Sequence, residues 1–188
     1  MLERMRENEF DGTFGIMEKS FPTDEYRPYG EQRKLLTDPR YAVYVHHAEN
    51  GAVDAFLAVW QFSDFAFLEH FAVSPTARGC GLGTRLLQAL SQLLGCCLCL
   101  EVELPDTPIA ARRIGFYERA GFVYHDYPYI QPPISEGKQP VPLRLMTKNA
   151  CGSACKPEAI KSVLYREVYR VQAAIDAASN KHQEDKKQ

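Results

Sequence analysis

The feature that most restricts the fold is a glycine-rich loop between a predicted strand and a predicted helix. The strand is the apolar run FAFLEHFAV (65–73), and the helix is TRLLQALSQLL (84–94), whose leucines recur at helical spacing. Gly79, Gly81 and Gly83 lie between them. Glycines at the start of a helix let backbone N–H groups approach an anion closely, and the helix dipole favours negative charge there. The loop therefore predicts a phosphate-binding site.

Two common nucleotide-binding patterns do not fit this loop. The P-loop requires Gly-Lys-Ser/Thr, and no lysine precedes Thr84. The dinucleotide fingerprint requires G-x-G-x-x-G, whereas the glycines here fall at 79, 81 and 83. A glycine-rich turn with no ligand is the alternative interpretation of the loop.

The rest of the chain predicts an α/β fold on a mixed (α+β) sheet with helices on both faces. Two strand-like runs flank Asn50-Gly51, which is a strong hairpin signal, and crossover helices join the later strands. In chain order we predict a strand at 12–18, helical turns at 22–37 broken by Pro28, strands at 41–48, 52–62 and 65–73, a helix at 84–94, a strand at 97–104, a helix at 109–120, strands at 122–127 and 142–148, and a helix from Pro157.

Charge and composition exclude several other classes of protein. Lys and Arg number 22 and Asp and Glu 24, so the formal net charge of −2 argues against bulk nucleic-acid binding. No apolar run reaches the roughly 20 residues of a membrane helix, and the N-terminus MLERMRENEF lacks the apolar core of a secretory signal. We therefore expect a cytoplasmic protein that binds neither nucleic acid nor membrane.

The cysteines indicate neither disulfides nor a metal site. Cys96, Cys97 and Cys99 crowd one short stretch, which is a poor disulfide framework. The Cys and His residues lack the spacing of a zinc site. We expect reduced thiols and no bound metal.

Two motifs carry a resemblance to a known family. Arg78-x-x-Gly81-x-Gly83 follows Ala72-Val73, and Tyr117-x-x-x-Gly121-Phe122 lies downstream. Together with the order of elements, they resemble the GNAT family of N-acetyltransferases over roughly residues 10–148. The resemblance implies a GNAT-like acyl-CoA acyltransferase fold with a partly splayed sheet, and acetyl-CoA as co-substrate.

The resemblance also implies which residues hold acetyl-CoA. Arg78 and the backbone amides of the loop bind the pyrophosphate, and the main chain from Phe71 to Val73 pairs with the pantetheine arm like an added strand. Many relatives have an asparagine seven positions before the tyrosine of the second motif, whereas this chain has Ala110. The implied cofactor-binding set is Phe71, Ala72, Val73, Arg78, Gly79, Cys80, Gly81, Leu82, Gly83, Thr84 and Tyr117.

Acetyl transfer to an amine needs an acid for the leaving thiolate and a base for the ammonium proton. The resemblance places Tyr117 near the thioester sulfur, which makes its phenol the candidate acid. A core aromatic on an amphipathic helix is the alternative interpretation of Tyr117.

Glu69 and Glu103 are the candidate bases. Strand alternation puts Glu69 on one face with Phe65, Phe67, Phe71 and Val73, and apolar surroundings raise the pKa of a carboxyl group. The alternative is a Glu69 exposed on the sheet or paired with an arginine. His70 should point away from Glu69, toward the core or a helix.

Glu103 shares the polar face of its predicted strand with Glu101, opposite Leu98, Leu100 and Val102. It lies at the C-terminal end of that strand, where open α/β sheets bind ligands. Glu103 could bind a cationic amine or act as the base, and a solvated strand end is the alternative.

The acceptor pocket is less sharply predicted. Tyr26 and Tyr29 lie in the first helical pair, which in the GNAT family often borders this pocket, and Tyr129 in the Pro-rich stretch could form the opposite wall. With Glu103 they form the predicted substrate-binding set, and simple packing is the alternative. Aromatic residues with few carboxylates indicate a small amine or amino-acid-like acceptor.

We therefore expect an enzyme that transfers the acetyl group of acetyl-CoA to a primary amine by direct attack in a ternary complex. A CoA-binding regulatory module without turnover is one alternative, and a peptide or protein lysine acetyltransferase is another. Both the enzyme and the module would bind CoA, so only turnover distinguishes them.

The domain prediction is an acetyltransferase domain over residues 1–149 and an appendage over 150–188. The appendage is predicted to hold a linker, an amphipathic helix and a charged tail. Its helix would pack on the domain or on a second subunit, so a homodimer is possible. The apolar stripe of this helix is Ile160, Leu164, Val168, Val171, Ile175 and Ala178.

Overall fold

The computed structural model describes residues 1–171 of the 188-residue chain. A seven-stranded sheet forms its centre. The strands are β1 (Glu3–Arg4), β2 (Tyr41–His47), β3 (Val53–Gln61), β4 (Phe65–Val73), β5 (Cys97–Glu103), β6 (Val123–Gln131) and β7 (Val141–Lys148).

Five α-helices accompany the sheet within residues 1–171. They are α1 (Phe10–Ser20), α2 (Tyr29–Lys34), α3 (Leu82–Leu94), α4 (Pro108–Arg119) and α5 (Pro157–Val163). A π-helical turn (Leu164–Val168) continues α5, and short 3-10 turns lie at Glu7–Glu9, Thr23–Glu25, Leu35–Thr37, Pro75–Ala77 and Ser153–Cys155.

The sheet is mixed and opens at its centre. The strand order is β1-β2-β3-β4-β5-β7-β6, and only β4 and β5 run parallel. These two strands pair only from Phe65 to Leu68 against Cys97 to Leu100, although β4 continues to Val73 and β5 to Glu103. The C-terminal halves of β4 and β5 therefore separate, which confirms the predicted mixed, partly splayed sheet.

Helices cover both faces, as predicted. On one face α1 and α5 pack on a core that includes Phe56, Trp60 and Phe67. On the other face α3 and α4 pack on a core that includes Leu57 and Leu98. Burial of these side chains provides the main drive for folding and fixes where the strand ends lie.

The prediction of a first strand at 12–18 is wrong. These residues lie within helix α1, which buries Phe10, Phe14 and Met17. Their spacing of four and three residues places them on one helical face, so the helical period outweighs the short apolar run.

A β-bulge at Glu69 changes the phase of β4. Ala58 pairs with His70 but Val59 pairs with Leu68, so Glu69 has no partner on β3. Before the bulge Phe67 belongs to the α1 face, whereas after it Phe71 belongs to the α3 face. The prediction that Phe65, Phe67, Glu69, Phe71 and Val73 share one face is therefore wrong, because an extra residue inverts the alternation beyond it.

Only part of the apolar stripe predicted for the C-terminal helix lies within the described residues. Ile160, Leu164 and Val168 are buried on the α1 face of the sheet. The predicted Ile175, Ala178 and charged tail lie outside the described residues. Within residues 1–171, no helix has the length and apolar character needed to cross a bilayer, and no cluster of three His, Cys, Asp or Glu side chains could hold a metal ion.

Candidate active site

A cleft of about 520 Å³ lies where β4 and β5 separate. The strand end from Phe71 to Val73 forms one wall, and β5 and helix α4 form the other. The loop before α3 also lines the cleft, and the turn at Thr23–Glu25 contributes Glu25. The cleft therefore brings together side chains that lie far apart in the sequence.

The glycine-rich loop has the backbone that its sequence predicts. Gly79 and Gly81 have φ angles of +87° and +74°, which residues with a Cβ adopt at a cost. Arg78 Nε donates to the carbonyl of Val73 at 2.8 Å, and Arg85 Nη1 donates to the carbonyl of Cys80 at 2.8 Å. These bonds tie the loop to the end of β4 and to helix α3, so its free amides are held at the helix N-terminus.

The loop and the strand end form a cradle that would fit a phosphate and an extended chain. Arg78, Gly79, Gly81, Leu82, Gly83 and Thr84 line the cleft, and so do Phe71, Ala72 and Val73. Among the described residues, no strand pairs with the β5-facing edge of β4 beyond Leu68, so the backbone groups of this edge can bind a ligand. Cys80 is exposed, does not line the cleft, and donates its thiol to the carbonyl of Ala77.

Tyr117 lies on helix α4 and lines the cleft. Its ring packs edge-on against Phe116 and Phe122, with centroids 5.2 and 5.7 Å away. Burial raises the pKa of Tyr117 to about 12. The phenol therefore keeps its proton at neutral pH and can donate it to a group in the cleft.

Glu69 does not have the raised pKa that its apolar neighbours predict. Its side chain is only 2% exposed, but Oε1 accepts a hydrogen bond of 2.8 Å from Arg27 Nη1. Burial alone would raise the pKa of Glu69. The charge of Arg27 and the nearby His70 have a larger effect in the opposite direction, so the pKa falls to about 2. A carboxylate so strongly held as an anion is a poor proton acceptor at neutral pH.

Glu103 lines the cleft as predicted, beside an arginine of helix α4. Its Oε2 lies 2.5 Å from Arg113 Nη1, and its side chain is 35% exposed. The contact lacks hydrogen-bond geometry, so it is an ion pair only. Glu103 thus supplies negative charge at the end of β5.

Glu101 is a cleft residue that the sequence did not single out as a base. It lies on β5, and its carboxylate accepts hydrogen bonds from the hydroxyls of Tyr129 and Tyr169. Burial raises the pKa of Glu101 to about 7, in spite of those two donors. A carboxyl group with this pKa can both accept and release a proton at neutral pH, which is the property a general base requires.

Glu25 is a second cleft residue that was missed. Burial raises its pKa, and the negative charge of Glu103 raises it further. His70 Nε2 donates to the carbonyl of Glu25 at 2.8 Å, which fixes the turn against β4. No local pattern marks Glu25, because its position depends on how the α1–α2 connection folds over the sheet.

Three tyrosines predicted for the acceptor pocket do not line the cleft. Tyr26 is buried edge-on against Phe14, and Tyr29 packs on Phe10 and Phe14, so both stabilise the contact with α1. Tyr129 is 1% exposed and donates to Glu101 from the core side. The preceding turn presents Glu25 to the cleft in place of these aromatic rings.

His70 is a buried core histidine, as predicted, but it does not point away from Glu69. Its Nδ1 lies 3.6 Å from Glu69 Oε2, and its ring packs edge-on against Phe21. The bulge at Glu69 explains the difference, since it breaks the alternation on which the expectation rested.

Solved structures that superpose on this chain are named as acetyltransferases. A protein of Bacteroides thetaiotaomicron assigned to the GNAT acetyltransferases is 29% identical, covers 90% of this chain and 98% of its own, and superposes with a TM-score of 0.82. The ribosomal-protein-S18-alanine N-acetyltransferase of Escherichia coli is 21% identical (81% and 96% covered, TM-score 0.62). A variant of the spermidine N-acetyltransferase of Vibrio cholerae is 14% identical (79% and 94% covered, TM-score 0.59).

Part of the sequence also matches a protein-family model. Residues 39–124 match the acetyltransferase (GNAT) domain, a range that contains β2 to β5, the glycine-rich loop and Tyr117. A comparison with curated proteins finds no match. In both its sequence over residues 39–124 and its fold, the chain therefore resembles the GNAT acetyltransferases.

Proposed function

We propose that this enzyme transfers the acetyl group of acetyl-CoA to the primary amine of a small cationic or amino-acid-like acceptor, by direct attack in a ternary complex. The observation that carries the proposal is that one cleft is lined by both the glycine-rich loop and three carboxylates. These are Glu25, Glu101 and Glu103. An amine is a cation at neutral pH, and carboxylates in a partly enclosed site attract it.

The cradle supports acetyl-CoA as the acyl donor. The loop amides with Arg78 would hold the pyrophosphate, and the unpaired edge of β4 would bind the pantetheine arm. When bound, acetyl-CoA supplies a thioester carbonyl that an amine can attack. The loop and strand would orient this group so that the reaction becomes effectively intramolecular.

Two side chains then account for the proton transfers. Glu101 accepts a proton from the ammonium group, directly or through water, and leaves a neutral amine that can attack. As the C–N bond forms and the C–S bond breaks, Tyr117 gives its proton to the departing sulfur. The second proton of the amine returns the tyrosinate to its phenol form, so the site is restored with one proton remaining on Glu101 for release to solvent.

The reaction class can be tested by a screen of amines that detects free thiol. Polyamines, amino acids, aminoglycosides, peptide N-termini and lysine peptides are each incubated with acetyl-CoA and the purified protein. Thiol release with a small amine, above hydrolysis, supports the proposal. Release only with lysine peptides indicates a protein acetyltransferase, and binding of CoA without release from any amine indicates a regulatory module.

Gly81→Ala is expected to weaken CoA binding at least about tenfold, because a Cβ in left-handed backbone strains the loop and stands in the path of the phosphate. Gly95→Ala is the matched control, since Gly95 has a similar φ of +61° at the other end of helix α3, outside the cleft. Calorimetric titration of each variant with CoA measures the effect. Equal affinities in the two variants would contradict the placement of the pyrophosphate.

Tyr117→Phe is expected to lower kcat about tenfold with little change in CoA affinity. The effect is moderate because a thiol has a pKa near 8.5 and leaves without full protonation, whereas general acids contribute up to about 10⁴-fold with poorer leaving groups. Steady-state thiol release and calorimetry measure the two quantities. An unchanged kcat would show that Tyr117 is not the acid.

A further inference from the structure

The segment that follows β7 contributes a hydroxyl that contacts the cleft residue Glu101 and a carbonyl that lies near Arg27. We call residues 153–171 the C-terminal segment, and it lies outside the range 39–124 that matches the acetyltransferase domain. The hydroxyl of Tyr169 lies 2.8 and 2.9 Å from the two carboxylate oxygens of Glu101. The carbonyl of Val168 lies 3.5 Å from Nη2 of Arg27, which is the partner of Glu69.

Buried apolar contacts hold Tyr169 in this position. Ile160 and Leu164 are completely buried, and Val168 is 6% exposed. The turn that carries Tyr169 is π-helical, and Tyr169 N–H donates to the carbonyl of Leu164 at 3.0 Å. π-helical turns in proteins frequently occur at functional sites, because the extra residue redirects the side chains that follow.

Glu101 depends on these donors for its charge. Burial disfavours the ionised carboxylate, and the negative charges of Glu69 and Glu25 disfavour it further. Hydrogen bonds to a carboxylate favour its ionised form. The groups that face Glu101 are Tyr169 from the C-terminal segment, Tyr129 from β6, Glu69 from β4 and Glu25 from the turn before α2. Both tyrosines therefore act in the opposite direction to both acids.

We propose that the C-terminal segment is a working part of the acetyltransferase site, in which Tyr169 is a positioning residue that orients the Glu101 carboxylate and keeps it able to accept a proton. The inference rests on the proposed role of Glu101 as base. Both hydroxyl donors lie outside the range 39–124 that matches the acetyltransferase domain, because that range ends at the second residue of β6.

The test compares Tyr169→Phe with Tyr165→Phe in the full chain. Tyr165 lies in the same turn and packs edge-on against both Tyr129 and Tyr169, but its hydroxyl donates to the carbonyl of Ile130 and not to Glu101. Each variant thus loses one hydroxyl from the same segment. Only Tyr169→Phe removes a donor from the carboxylate.

Two quantities are to be measured in each variant: the titration of the Glu101 carboxyl group by ¹³C NMR, and the pH profile of kcat/KM. Glu101→Gln serves to assign the NMR signal. Tyr169→Phe should raise the NMR midpoint and the acidic limb of the profile by about half to one pH unit, since it loses one charge-assisted hydrogen bond. Tyr165→Phe should leave both at the wild-type values. Thermal unfolding confirms that each variant is folded.

The outcomes distinguish this inference from the proposed function. An unchanged midpoint in folded Tyr169→Phe, or an equal shift in Tyr165→Phe, overturns the positioning role whether or not the wild type is active. If Tyr169→Phe shifts the midpoint but the wild type releases no thiol, the electrostatic coupling stands and its part in catalysis is overturned. A shift of both midpoint and acidic limb, confined to Tyr169→Phe, supports the inference.

Discussion

Replacing Glu101 by glutamine is expected to lower kcat by about 100-fold or more, which is the usual contribution of a general base. Glutamine has nearly the same shape as glutamate and can still accept hydrogen bonds from Tyr129 and Tyr169. It cannot accept a proton, so the loss reports on chemistry and not on packing. Steady-state thiol release with the best amine found in the screen measures kcat, and calorimetry should give an unchanged affinity for CoA.

Wild-type enzyme should also lose activity as the pH falls through about 7. Burial raises the pKa of Glu101 to about 7, and its protonated form cannot take a proton from the acceptor. The kcat/KM profile should therefore decline with a slope of one on its acidic side. In Glu101→Gln this limb should disappear from the residual activity.

Glu103→Gln is the matched control for the choice of base. Glu103 lies on the same strand, two residues away, but is partly exposed and paired with Arg113. We expect its loss to raise KM for the amine, because it removes negative charge from the acceptor end of the cleft, with a smaller effect on kcat. A large loss of kcat in Glu103→Gln with near-normal Glu101→Gln would show that the roles are reversed.

Much of the glycine-rich half of this site could be predicted from local sequence. Three glycines within five residues, after an apolar strand and before an amphipathic helix, specify one kind of backbone turn. Tyr117 could be located because the helix that carries it ends at a glycine that closes a recognisable motif. In both places the relevant signal lies within a few residues, where periodicity and turn chemistry act directly.

The arrangement of the acidic side chains in the cleft could not be predicted in this way. One bulge at Glu69 inverts the second half of β4, and strand alternation cannot anticipate an inserted residue. Alternation placed Glu101 and Glu103 correctly on one face, yet the contacts that distinguish them come from other elements: Tyr129 and Tyr169 for Glu101, and Arg113 for Glu103. Long-range contacts of this kind carry no local signature.

Arg27→Met is expected to destabilise the fold by about 3–5 kcal/mol, because it leaves a buried carboxylate without its counter-charge. The Arg27 and Glu69 side chains are 6% and 2% exposed, and Glu69 Oε2 has no hydrogen-bond partner among the described residues. Urea unfolding followed by circular dichroism at pH 7 measures the change. The control is the double variant Arg27→Met/Glu69→Gln, which removes both charges and should regain most of the lost stability.

The Arg27–Glu69 ion pair also predicts how the difference in unfolding free energy between the wild type and Arg27→Met depends on pH. Burial raises the pKa of Glu69, but Arg27 and His70 lower it by more, to about 2, which is below the ordinary glutamate pKa of 4.5. The ion pair therefore stabilises the wild type above about pH 4.5 and less so as the pH falls toward 2. In Arg27→Met the carboxyl group should instead take up a proton more readily, so the gap in unfolding free energy between the two proteins should shrink on acidification. An equal gap at pH 7 and pH 4.5, or a double variant as unstable as the single one, would mean that Arg27 supports the fold through packing of its aliphatic stem and not through charge.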